Sequence, residues 1–450
     1  MRFFRRMRVW ARVLVTGGAL LTVTAPAVVA QAQGAPPASQ PQAQSGSAQI
    51  GDSYKLPPGK LAKAIALSRF RSIMDIVGSL WGIAVAWLML QTRIAGGLGA
   101  WAERVFHARW LQGLLFFAAL IVILTIAGLP LDALSHQVSR NYGISVQGWG
   151  SWFDDQGKAL LLTVILGSLV MLLFHWIVRV SPRRYWLWCW LVTLPILVMG
   201  IFVAPLVEPF FNEYEPLSKN HAALVAKLEE VVARTGTNIP PDRMFLMKAS
   251  AKTNGLNAYV NGIGATKRIV VWDTTAGRVP DDVVMYVFGH ESGHYVLNHI
   301  PKMLTGFAIG LFFVYWACAK YAGWLAWRRG AQWGLPEDHP LASRAGFVVL
   351  LLATSVAGLI IEPAANTFTR HFEHEADVYG QEAIHGLVPN PQQTAVKGFN
   401  ALGEAWLEDP NPNPVIEFWE YSHPSVKNRA NFAAHYDPWA NGGHGKFFEH

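Results

Sequence analysis

Long apolar blocks alternate with basic or polar connectors along most of this chain. Blocks of about 20 residues, enough to cross a bilayer, fall near 73–92, 111–131, 159–179 and 185–206, with two more near 303–323 and 346–362. The pattern predicts six membrane-spanning helices. The segment between the fourth and fifth blocks, 207–302, has other rhythms. PLSKNHAALVAKLEEVVARTG (216–236) has helical spacing and ends on Gly236. MFLMK (244–248), NAYVNG (257–262) and KRIVVWDTT (267–275) have the β-branched and aromatic content of short strands. VPDDVVMYVFGHESGHYVLNH then puts Pro280 near the first helical position and two aspartates in the first turn, a favourable helix start. After the sixth block, TRHFEHEADVYGQEA predicts one more helix ahead of a polar C-terminal part.

Composition supports the membrane reading. The 450 residues are 52% hydrophobic and only 15% charged, against about a quarter charged in a soluble domain. The net charge of +7 does not point to nucleic acid, because much of the basic charge flanks apolar segments, as in MRFFRRMRVWAR and VRVSPRR. No nucleic-acid partner is expected, and the lipid bilayer is. Trp101, Trp110, Trp149, Trp152, Trp186, Trp324 and Trp327 stand near block ends, as an aromatic belt requires. Asp75 and His175 lie in or near apolar blocks, where an ionisable group is costly unless it faces protein or water. Cys189 and Cys318 each sit inside an apolar block, which excludes a disulfide framework and a four-cysteine metal site.

The chain divides accordingly. Residues 1–32 read as a signal peptide or a first span, and 33–54 as a flexible linker. Residues 55–206 form a membrane part of about four spans, and 207–302 a domain carrying the histidine-rich helix. Residues 303–363 hold two further spans, and 364–450 a C-terminal part. The fold class expected is a mainly α, multi-span membrane bundle with an inserted α+β domain.

The chemistry concentrates in GHESGHYVLNH (289–299). His290 and His294 are four residues apart, hence one turn apart on one helix face. Two imidazoles so placed can converge on one tetrahedral metal, with Glu291 beside them to act on water. His299, nine residues or about 900° from His290 on a continuous helix, is expected on the opposite face and is not read as a ligand. Chance alone gives an H-E-x-x-H about 0.02 times in a chain of this composition. A catalytic site needs a third protein ligand, and RHFEHEAD (370–377) offers His371, Glu373, His374, Glu375 and Asp377. Glu373 and Asp377 share a helix face; His374 is nearly as suitable by chemistry.

Several motifs occur together and in order: NAYVNGIGATKRIVVWDTT, HESGH, PAANTFTRHFEHEAD and SHPSVKNR (422–429). With VEPFFNEYEPL and GSWFDDQGKALLL they resemble the CAAX prenyl endopeptidase family of integral-membrane zinc metalloproteases over roughly residues 55–430. The resemblance implies that the inserted domain is zincin-like, with one Zn2+ per chain held by His290, His294 and Glu373, Glu291 as general base and Asp377 behind the ligands. It implies His423 as stabiliser of the tetrahedral intermediate, Arg429 as support or a contact for a partner carboxylate, and Asn257 on an edge strand that holds substrate. It implies seven spans where six are clear, so the N-terminal block would supply the seventh or it would be absent.

The activity expected is peptide-bond hydrolysis, acting on membrane-associated or misfolded polypeptides or on CAAX-like C-terminal peptides. A transporter would want repeat symmetry that the chain lacks, and a non-enzymatic scaffold on a dead fold would have lost a ligand or the base. The signal-like N-terminus suits a bacterial inner-membrane protein. The basic loops 93–109, 179–184 and 328–344 place their side in the cytoplasm and the zinc domain outside, whereas the resemblance implies a cytoplasm-facing catalytic part. Oligomeric state is not legible.

Overall fold

A computed structural model describes residues 53–448; the signal-like segment and nearly all of the linker lie outside the described residues. The membrane part opens with α1 (Pro58–Gln91), α2 (Ile94–Val105), α3 (Arg109–Asn141), α4 (Trp149–Val180) and α5 (Tyr185–Val207). A π-helical turn, Thr163–Gly167, interrupts α4. After the extramembrane domain come α8 (His299–Trp333) and α9 (Arg344–Ala383). Among the described residues, six helices are long and apolar enough to cross a membrane: α1, α3, α4, α5, α8 and α9. Their outer faces expose Ile126, Trp176, Leu206, Phe313, Trp327 and Ile360. Large apolar side chains facing outward on helices of this length are surface that lipid covers. Inside, Phe116, Phe117, Leu120, Met171, Leu197, Val348 and Val349 close the bundle core.

Some expectations need correction. The stretch 93–109, read as a basic loop, contains α2. Three glycines in IAGGLGAW hide it, since glycine lowers helix propensity. Trp152 belongs to no belt: it is fully buried and stacks on His136 at 5.2 Å. His175, by contrast, does face protein, with Nε2 3.1 Å from the Ala342 carbonyl. Cys189 and Cys318 are free and buried.

The extramembrane domain has its own core. Strands β1 (Tyr214–Pro216), β2 (Met244–Met247), β3 (Ala258–Asn261) and β4 (Arg268–Trp272) form one sheet in the order β1-β2-β4-β3. β2 and β4 run parallel, and β1 and β3 flank them antiparallel, which leaves β3 an edge strand. Helix α6 (Ala222–Thr235) starts later than the sequence pattern suggests, because Pro216 ends β1 and Leu217–Lys219 is a 3-10 turn. A three-residue strand is too short to display alternation. Gly236 caps α6 in the left-handed region (φ 65°), as its glycine allows. Leu224, Val225, Leu228 and Val231 of α6 meet Ile269 and Val271 of β4 and Val283, Val284 and Val287 of α7 (Asp281–Val296). Each such side chain removed from water contributes about 1.5–3 kcal/mol.

Helices α10 (Pro391–Trp406), α11 (Pro414–Glu420) and α12 (Val426–His435) complete the domain. Two junctions link this domain to the spans that follow α7. The sixth apolar block and TRHFEHEADVYGQEA form one 40-residue helix, α9, which runs on through Pro363. Between α7 and α8 the chain breaks at Asn298, whose φ of 57° is left-handed, a conformation asparagine tolerates.

Candidate metal centre

Helices α7 and α9 cross backbone to backbone at Gly289 and Gly380, with the Tyr379 ring seated beside Gly293. A Cβ added at Gly289 would stand 3.0 Å from the Gly380 carbonyl oxygen, and one at Gly293 3.0 Å from the Tyr379 ring. The absent Cβ atoms let the axes approach. The four-residue spacing of His290 and His294 on α7 thereby faces the four-residue spacing of Glu373 and Asp377 on α9.

One nitrogen from each histidine and one oxygen of Glu373 lie within 4.8 Å of one another, and all three residues are buried. His290 Nε2 and His294 Nε2 are 3.2 Å apart, with Glu373 oxygens 3.5 Å and 3.8 Å from them. Ligands of a tetrahedral ion with bonds of about 2.1 Å stand about 3.4 Å from each other. Two imidazole nitrogens and a carboxylate oxygen at these separations fit a divalent metal, and the N2O donor set is one that zinc accepts. His374 is not in this group: it packs against Phe432 with ring centroids 4.5 Å apart.

Behind His290, Asp377 Oδ1 lies 2.9 Å from Nδ1. Arg429 grips Asp377 with two hydrogen bonds, Nε to Oδ2 at 2.8 Å and Nη2 to Oδ1 at 2.5 Å, both partners buried. The Tyr286 hydroxyl, one turn before His290, also donates to Asp377 at 3.4 Å. Burial opposes the His290 cation, but hydrogen bonds and charge from Asp377 and Glu373 carry its pKa up to about 9 in the metal-free chain. His294 goes the other way: burial holds it well below its ordinary value. Burial also opposes the Arg429 cation, yet the neighbouring Asp377 charge holds its pKa above the usual value.

His423 borders the same cluster, with Nε2 3.1 Å from Glu373 Oε2 and Ser422 Oγ 3.0 Å from its Nδ1. It is a quarter exposed, so this side of the cluster opens outward. Glu291 is 1% exposed. Tyr295, one turn on along the same helix face, donates its hydroxyl to the Gly262 carbonyl at 3.0 Å, just past β3. Burial and the Glu291 charge both raise the Tyr295 pKa. Asn257 directly precedes β3, tied by its backbone to Thr275 Oγ1 and to the Trp272 amide.

His299 needs a correction of reason. The helical break at Asn298 voids the count of 900°, and His299 does not face away from the cluster. It is wholly buried behind His294, with Nδ1 3.1 Å from His294 Nδ1 and Nε2 3.3 Å from Glu375 Oε2. It still contributes no atom to the three-donor group. Sequence reasoning also passed over Tyr286, although its place one turn before His290 marks it, and Ser422, beside His423.

Known proteins share both the fold and the cluster-bearing segments. A family model for the CAAX prenyl protease N-terminal domain, described as five membrane helices, matches residues 52–213. That stretch holds α1–α5, of which α1, α3, α4 and α5 are long and apolar enough to cross a membrane. The model of peptidase family M48 matches residues 218–437. An uncharacterized metalloprotease of Bacillus subtilis, YhfN, is 32% identical over 84% of this chain and 86% of its own. CAAX prenyl protease 1 of Saccharomyces cerevisiae is 25% identical over 71% of each chain. The crystal structure of S. mikatae Ste24p shares the fold, with a TM-score of 0.69 and 21% identity over 84% of this chain and 90% of that one. Together with six candidate spans and a buried His-His-Glu cluster, these matches establish the chain as a multi-pass membrane metallopeptidase belonging to peptidase family M48.

Proposed function

We propose that the chain is a zinc endopeptidase and that His290, His294 and Glu373 hold the ion. The observation that carries this reading is the convergence of their three donor atoms within 4.8 Å in a buried site. A zinc ion held there supplies Lewis acidity, polarising a scissile carbonyl and acidifying water. The remaining work belongs to the protein's own residues. Glu291 takes the proton of the attacking water and delivers it to the leaving amine. His423, at the open side of the cluster, donates to the oxygen on which negative charge develops. Removing one such donor typically costs about 10²–10³ in rate. Asp377, clamped by Arg429, keeps the His290 ring oriented.

Substrate lies extended along β3, the last strand in the sheet order. Pairing there reads backbone, not sequence, which suits cleavage of membrane-associated or misfolded polypeptides, or of CAAX-like C-terminal peptides such as the names of the relatives suggest. Asn257 holds the start of that strand in register. In a bacterial inner membrane the basic connectors favour an outward-facing site. Arg93 Nε donates to the Gln332 carbonyl, and Arg344 pairs with Glu103. This gathers the connectors at the end of α8 about 50 Å from His299. Reporter fusions at residue 331 and at the C-terminus test that orientation.

The direct test of activity is Glu291→Gln. The variant is expected to fold and retain zinc while losing cleavage of a peptide reporter. Normal turnover by it removes Glu291 from its role.

A further inference from the structure

The two histidines of the centre have different backing. Each turns Nε2 towards the cluster, so the nitrogen left over is Nδ1. At His290 the leftover nitrogen meets a carboxylate directly, that of Asp377. At His294 it meets another imidazole, His299 Nδ1, at 3.1 Å. The far nitrogen of His299 lies 3.3 Å from Glu375 Oε2. Glu375 is partly exposed, also faces Lys446 Nζ at 3.3 Å, and has His371 Nε2 at 3.9 Å.

We propose that His299 and Glu375 are positioning residues: through the Glu375 charge beside His299 and the hydrogen bond between His299 and His294 they fix the His294 tautomer that leaves Nε2 free to bind metal. The Glu375 carboxylate, 3.3 Å from Nε2, favours by its charge the His299 tautomer whose proton sits on that nitrogen. His299 Nδ1 is then a bare lone pair and accepts from His294 Nδ1–H. His294 Nε2 is left without a proton, as ligation requires. The direction of the His294–His299 bond is thus set by the charge of the partly exposed Glu375. The break at Asn298 is what makes this reachable, because a continuous helix would carry His299 to the other side.

This inference rests on the metal-site reading above, and its test separates the two. Zn2+ and Co2+ alone are the probes, added to the full-length, detergent-purified chain after chelator treatment. His299→Leu is expected to weaken zinc binding about 10–100-fold and to shift the visible bands of the cobalt form. His299→Asn places Oδ1 where Nδ1 stood, and is expected to recover affinity to within a few-fold of the unsubstituted chain. Glu375→Gln, at a partly exposed position that leaves folding intact, is expected to weaken zinc at least several-fold, because an amide does not dictate direction.

Unchanged zinc affinity and cobalt bands in Glu375→Gln overturn the proposal even if His299→Leu fails to fold. His299→Asn as impaired as His299→Leu overturns it too. If Glu373→Ala keeps metal at full affinity, the metal-site reading itself fails. If Glu373→Ala loses metal and the His299 and Glu375 variants do not, only the present inference fails.

Discussion

Gly380 on α9 lies so close to His290 on α7 that a Cβ at position 380 would stand 2.7 Å from the His290 backbone nitrogen. The atom it would strike is main chain in a helix, and main chain there has little room to yield. This contact sets the distance between the two helices that carry the cluster, and so sets the cluster itself.

The first prediction comes from that contact. Gly380→Ala forces α7 and α9 apart, with an overpacking cost of about 1–3 kcal/mol, and parts Glu373 from the two histidines. Zinc content of the purified variant is expected to fall well below one per chain, with a lower melting temperature. Full zinc content would show that the helices accommodate the methyl group without moving the donors.

The Asp377–Arg429 pair supplies the second. Both groups are buried, and removing one partner of a buried pair costs about 3–5 kcal/mol because a bare charge is left behind. Arg429→Leu is expected to be severely destabilised. The double variant Asp377→Asn, Arg429→Leu is expected to melt higher than Arg429→Leu alone. Additive effects in this cycle would mean that the pair is not energetically coupled.

Acidity gives the third. In the metal-free chain the His290 pKa is raised from 6.5 to about 9. A group whose folded pKa is raised stabilises the folded form fully below its unfolded pKa, and that contribution is lost as pH rises through the folded value. The chelated protein is therefore expected to lose melting temperature between pH about 6.5 and 9. Metal affinity is expected to rise over the same range, since each ion bound expels the His290 proton. Chelator competition across that window checks it, and a flat profile would contradict it.

How much of this was legible in the chain depended on whether a feature obeys a period. The spans, the α7 pair and the α9 pair all do: spacing puts His290 with His294 on one helix face, and Glu373 with Asp377 on another. What escaped the sequence are places where a period stops. α2 is short and glycine-rich, β1 has three residues, and the break at Asn298 turns His299 back towards the cluster. The choice between Glu373 and His374 was closed to spacing as well. Neighbours on a helix differ by about 100°, and only the packing of α9 on α7 decides which one looks inward.

The buried three-donor cluster, begun on α7, is completed by Glu373 from α9, on the far side of the α8 span and the apolar length of α9 itself. Everything proposed for the chemistry depends on that completion. The measurement that tests it is zinc stoichiometry of purified Glu373→Ala beside His374→Ala. Glu373→Ala is predicted to drop from about one zinc per chain to near zero while His374→Ala keeps its metal. Zinc retained in Glu373→Ala and lost in His374→Ala would contradict it.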